Sequence, residues 1–278
     1  MQKDNVNIYD GQENLNSSHE TQTQSFNSGS TTEDITTRET LVEALSNEKF
    51  SFVQKYQELY VGSNSFMELL KYEVLTFFFS PVPGAIGYLL RKLFYPSLFE
   101  KMGKGTVISP YVMFRCPKRI SLGHNVFIES NAVLDAKGKG SYINLGDTVL
   151  IGRNTIFSCS SANIIVGEDF SIGPNCNIRA SIGPISIGSH VTIGSNTVII
   201  SGNPSYKRLD IPMKMQVGST KGIEIGNDVW IGVSVSIVDG VKVGNGCVIG
   251  AGSVVIKEVP NNAIVAGVPA KIIGYRGM

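Results

Sequence analysis

Aliphatic and aromatic residues recur at a six-residue step through most of this chain. They run Ile108, Phe114; Leu122, Ile128, Leu134; Leu145, Ile151, Phe157; Val166, Ile172, Ile178; Ile187, Ile193, Ile199; Ile225, Ile231, Ile237; Val243, Ile249, Val255. None of these twenty positions is polar. A period of six suits neither a 3.6-residue helix nor an alternating strand. It suits a prism with one short strand per side and three sides per coil, the parallel β-helix of hexapeptide repeats. Each repeating residue then points inward and stacks on its counterpart about 4.8 Å away. Ile and Val favour such an extended, stacked surface. Gly often follows, as at Gly123, Gly152, Gly194, Gly232 and Gly250. It would serve either unusual backbone angles or close approach at a corner. A small residue usually stands four after the aliphatic one, as at Ala132, Thr155, Cys176, Thr197 and Ser253.

Within each group of three the step is always six, and extra residues enter only between groups. The intervals from Leu134, Phe157, Ile178 and Ile199 are 11, 9, 9 and 26 residues, so every insertion leaves from one corner. The longest follows Ile199. The third side also lacks the trailing Gly, carrying Asp135, Ser158, Arg179, Ile200 and Val238 instead. Insertions on one face of a solenoid often mark its binding face.

Upstream the pattern changes. Residues 1–35 are rich in Ser, Thr, Asn and Gln, and a chain that bury so little is expected to be disordered. Residues 36–102 read as a helical segment. Thr36 with Glu39 and Ser65 with Glu68 are two capping-box patterns. Leu41, Leu45, Phe52, Tyr56 and Leu59 follow the first at helical spacing, and Phe66, Leu69, Leu70 and Val74 follow the second. The stretch 74–99 is strongly apolar but holds no run long enough to span a bilayer. It reads as a cap on the open end of the solenoid, or as a peripheral membrane contact with Arg91 and Lys92 at the headgroups. The β-helix then occupies 103–278.

The 278 residues carry a formal net charge of +1, with no basic run, so nucleic acid is not an expected partner. Cys116, Cys159, Cys176 and Cys247 all lie in the repeat and read as free structural thiols. The polar Met1–Asp4 start does not read as a signal peptide, which makes a cytoplasmic protein the expectation.

The stretch 222–274 carries three further elements. They are Val229-Trp230-Ile231-Gly232, the run Ile249 to Val255 (IGAGSVV), and Ala266-Gly267-Val268-Pro269-Ala270-Lys271. In this order they closely resemble the hexapeptide acyltransferases, the group of galactoside, maltose and xenobiotic acetyltransferases. The resemblance covers about residues 103–275. It implies an all-β, left-handed parallel β-helix, assembled as a homotrimer with its site in the cleft between neighbours. It further implies transfer of an acetyl group from acetyl-CoA, as a substrate, to a hydroxyl or amine of a sugar or other small molecule. On this reading Trp230, Gly232, Gly250, Ala251, Gly252, Ser253, Lys257, Gly267 and Lys271 hold CoA. The small residues leave a groove, and the lysines meet phosphates.

One departure stands out. In the resembling families the long loop carries a histidine that takes the acceptor's proton. Here alignment puts Asn203 at that place, and counting along the hexad puts Pro204 there. Neither accepts a proton near neutral pH. His19 lies in the polar tail. His124 and His190 fall at turns about 14 Å apart, which makes neither a metal pair nor a loop site, and no metal is expected. The substitutes are Asp210 in the same loop, as a weaker base if burial raised its pKa; a ladder of Asp135, Ser158 and Arg179; or positioning alone with a reactive acceptor. Ser201, Tyr206, Arg208, Asp135 and Arg179 would face the acceptor. The competing expectation is a catalytically silent β-helix that binds a ligand through the same cleft.

Overall fold

A computed structural model describes residues 51–277 apart from 204, 214, 215, 217 and 219. The polar tail, His19, the Thr36–Glu39 pattern, Leu41, Leu45 and Pro204 lie outside the described residues. The remainder is a parallel β-helix entered through three helices.

The chain winds around three flat sides. The first side holds seven strands from Lys101–Met102 to Lys242–Val243, the third seven from Met113–Arg115 to Val254–Val255. The second holds nine, from Val107–Ile108 to Ala263–Ala266, closed by the antiparallel Lys271–Tyr275. All other pairings are parallel and one coil apart, with inward residues in register: Leu122 with Leu145, Ile172 with Ile193, Ile199 with Ile237. The twenty hexad positions are each at most 4% exposed, so they form one continuous column of apolar side chains. The small residues Ala132, Thr155, Cys176, Thr197 and Ser253 fill the inside of a corner and are also buried.

The trailing glycines serve close approach. A Cβ on Gly123 would stand 2.4 Å from the Gly146 carbonyl oxygen, and one on Gly152 2.6 Å from the Gly173 carbonyl carbon. None of these takes a positive φ. The left-handed residue comes two later and is often Asn, as at Asn125, Asn154, Asn175 and Asn196 with φ of 55, 59, 60 and 62°. Asn tolerates that region better than most residues. The stacked glycines belong to the corners after the first and second sides. The corner after the third side has no such stack, and every insertion leaves from it, as the interval pattern predicts.

Helix α1 (Phe52–Tyr56) continues as a π-helical turn to Val61. Helices α2 (Phe66–Phe79) and α3 (Gly84–Phe94) follow. A capping box forms at Ser51 with Gln54. Ser65 caps α2 by position only, because its side chain makes no cap bond and Glu68 pairs with Lys71 instead. Tyr95 and Phe99 pack edge-on against Phe114 at 6.0 and 4.8 Å, and the Tyr72 hydroxyl donates to the Phe114 carbonyl at 2.7 Å. The helices thereby seal the N-terminal end of the column.

Arg91 corrects the headgroup expectation. It is 2% exposed and points inward. Its Nε donates to the Ile108 carbonyl (2.7 Å), and one terminal nitrogen donates to Phe79 (2.7 Å) and Val82 (2.8 Å). Lys92 alone stays exposed. The apolar residues of α3 face outward instead: Ile86, Leu89 and Leu93 are 72%, 54% and 63% exposed. The outer arc of α2 continues this surface through Phe66, Met67, Leu70, Val74, Phe77 and Phe78. No described helix is long and apolar enough to cross a membrane.

Candidate active site

The residues expected to hold the donor gather at the C-terminal coils. Trp230 lies on the second side, in register with Thr192 below and Val248 above, with its ring 60% exposed. Gly250, Ala251 and Gly252 turn the next corner. A Cβ on Gly252 would meet nothing within 4 Å, so the corner is open there. Ser253 ties this corner to the chain beyond: its hydroxyl donates to the Gly250 carbonyl (2.6 Å) and accepts from the Gly267 amide (3.2 Å). Ala270 N donates to Val254 O at 2.8 Å and brings Lys271 alongside. Lys257 and Lys271 are exposed, and neither is in an ion pair among the described residues.

Two of these residues shape the site without facing it. Ser253 is fully buried, and its hydroxyl is used internally. Gly232 is needed for stacking, since a Cβ would stand 2.7 Å from the Ala251 amide nitrogen.

The long loop leaves the third side after Val198–Ser201 and returns at Ile223–Ile225. Asn203, Tyr206, Arg208 and Asp210 are carried on it, with Tyr206 70% and Leu209 99% exposed. Asp210 is bound by both ends of the Arg208 guanidinium. That bond lowers its pKa, whereas service as a base needs it raised. Gln216 is the centre of the loop. It is 6% exposed, accepts from Arg208 N (3.0 Å), and donates to the carbonyls of Arg208 (2.6 Å) and Ile211 (3.1 Å).

Ser201 and Asp135 are corrected as acceptor contacts. Ser201 is fully buried and donates to the Gly183 carbonyl of the coil below. Asp135 is 5% exposed, paired with Lys137 (2.9 Å) and close to Arg115 (3.8 Å), whose guanidinium stacks on Tyr60. The predicted ladder of Asp135, Ser158 and Arg179 is in register, but Arg115 and Lys137 close over its start and only Arg179 is exposed.

Of the histidines, His124 Nδ1 accepts from the Lys104 amide at 3.0 Å. His190 sits at a turn with φ 59° and bonds Asp169 at 2.8 Å, which raises its pKa. The four cysteines are free and buried, and burial pushes Cys159 up to about 12 and Cys116 up to about 11.

Two residues that hold the loop escaped the sequence. Gln216 looks like any polar loop residue. Asp239 stands in an Asp-Gly turn, where Asp is ordinary. Its partners lie 17–37 residues away, and no local pattern marks them.

Comparison with known proteins agrees with the coil geometry. Residues 222–257 match the family model of the bacterial transferase hexapeptide (six repeats). The C-terminal coils thus carry the repeat that this model describes. The chain is 36% identical over 136 residues to the galactoside O-acetyltransferase of Escherichia coli K12, covering 49% of this chain and 64% of that one. It is 25% identical over 177 residues to the galactoside O-acetyltransferase of Lactococcus lactis, covering 63% and 73%. The solved polysialic acid O-acetyltransferase OatWY superposes with a TM-score of 0.50 at 27% identity, over 63% of this chain and 87% of that one. The chain thus spans less than two thirds of the Escherichia coli relative.

Proposed function

We propose that this protein moves an acetyl group from acetyl-CoA to a hydroxyl or amine of a sugar or cell-envelope precursor. The observation that carries this is the corner that opens at Gly252, with exposed Trp230 on the same side of the coil and the exposed lysines Lys257 and Lys271 on the C-terminal coils. Small residues there leave backbone groups accessible to the pantetheine amides, and the lysines suit CoA phosphates. Relatives named for O-acetyl transfer to galactosides and polysialic acid support the reaction class. The acceptor heteroatom attacks the thioester carbonyl, the tetrahedral adduct collapses, and CoA leaves as its thiol with the acceptor's proton. With Asn203 at the base position and Asp210 held by Arg208, the loop gives orientation more than proton abstraction. Slow turnover is expected.

Titrating acetyl-CoA into the protein tests this. Saturable heat near one site per chain is expected. No binding at millimolar donor overturns the reading and leaves the silent β-helix, the alternative that the replaced loop histidine raises.

The protein acts as a homotrimer. The loop leaves one corner of the prism and the donor residues lie at another, so a neighbour must join them. A head-to-tail contact that closes is a ring. Exposed Leu209, Val268 and Ile273, at 99%, 72% and 68%, are apolar surface for such a contact. A monomer by light scattering at micromolar concentration would sink this.

It works in the cytoplasm, on the inner face of the membrane. The outward arcs of α2 and α3 form an apolar surface with Lys92 beside it, the composition of an interfacial helix. Flotation with anionic vesicles should carry the protein up, and Phe77→Glu with Leu93→Glu should abolish it. A protein that stays wholly in the soluble fraction refutes the contact.

A further inference from the structure

We infer that Asp239 is the positioning residue of the long loop. Its carboxylate, one coil further on, closes the loop's neck and so aims Asn203, Tyr206 and Arg208. The inference rests on the acyl-transfer reading for its catalytic consequence.

Asp239 follows the strand Ser236–Val238 and is half-buried. Its Oδ1 accepts from the outgoing strand at Gly202 N (3.2 Å) and from the returning one at Thr220 Oγ1 (2.7 Å) and Gly222 N (3.0 Å). Both oxygens lie near Lys221 N, at 3.2 and 3.1 Å. The carboxylate therefore bridges the two ends of the loop. Its charge is met by a converging set of backbone N–H groups and one hydroxyl, the arrangement of an anion-binding nest. No Lys or Arg ion pair reaches it among the described residues.

The surrounding geometry supports a dedicated clamp. Gly202 and Gly222 take φ of +98 and +79°, which turns their amides toward the carboxylate. Gly240 N donates to Gly222 O at 2.8 Å, a second bond on the returning side. Asn203 is the residue next to the clamped Gly202 amide. The neck thus sets where the position of the families' histidine points. Inside the loop the Gln216 staple holds the Arg208 turn, but it does not join the loop to the coils. Asp239 does.

The test combines hydrogen exchange with kinetics on Asp239→Ala and Asp239→Asn. In Asp239→Ala the loop amides 205–218 should exchange at least about tenfold faster while the coils keep their protection. Acceptor kcat/KM should fall roughly 10–100-fold, the scale of a small misplacement. Acetyl-CoA affinity should stay within about twofold, because the donor residues lie at another corner. Asp239→Asn keeps one acceptor oxygen and should lie between. Unchanged loop exchange overturns the inference, and so does a matching loss of acetyl-CoA affinity. Exchange reads the clamp whether or not the wild type turns over. A wild type without transferase activity would sink the acyl-transfer reading and leave the clamp standing.

Discussion

Asn203→His raises acceptor turnover by about 10²–10⁴-fold, the usual worth of a general base. Asn203 is exposed at the start of the loop, so imidazole enters without disturbing the core. It gains a proton acceptor where the loop has none: Asn cannot serve, and Asp210 is committed to Arg208. The gain carries a pH signature. Imidazole acts as base only when neutral, with an unperturbed pKa of about 6.5. The increment should therefore be present above about pH 7 and vanish as pH falls below about 6, over a wild-type profile without that inflection. Steady-state rates with a saccharide acceptor across this range check it. An unchanged rate would mean that the reacting oxygen does not approach Asn203, or that the proton leaves by another route.

Arg91→Leu costs on the order of 3–5 kcal/mol, the scale for removing one partner of a buried charged interaction. One guanidinium serves three carbonyls, at Ile108, Phe79 and Val82. These belong to the first strand of the second side, the end of α2 and the turn that follows. The C-terminal carbonyls of a helix have no partners within it. Arg91 supplies one for α2, and its positive charge also suits that end of the helix dipole. Leucine fills the volume but leaves all three oxygens buried without donors. Arg91→Lys should recover part of the loss, because an ammonium cannot reproduce the planar fork. Urea unfolding followed by circular dichroism reads the difference. A loss below about 1 kcal/mol would show that water reaches these carbonyls unaided.

Much of the fold was legible because the hexad encodes direction. Every position marked as inward is buried, and every extra segment leaves from the corner that the intervals named. The glycines show the limit of that code. Their spacing predicted a corner, while only the coil above reveals that Gly146 is excluded from a side chain by the Gly167 backbone. Outward positions were less legible. Period tells which residues leave the core, but not what then covers them. Asp135 faces out of its strand and is still buried, because Arg115 and Lys137 close over it. Arg91 misled in the opposite direction: charge suggested water, but three carbonyls lie within reach of its helix. Asp239 was invisible for a related reason, since its partners gather only when two coils stack.

The corner after the third side separates durability from specialisation. Coil-to-coil contact is closest at the other two corners, where stacked glycines forbid any added atom. The third tolerates from two to twenty extra residues without disturbing the column. New recognition loops can therefore be grafted between Gly202 and Gly222, provided that the Asp239 anchor and its two glycines are kept. On such a frame the loop can change through exchange of one cassette, while the other two corners and the stability of the coils pass on intact.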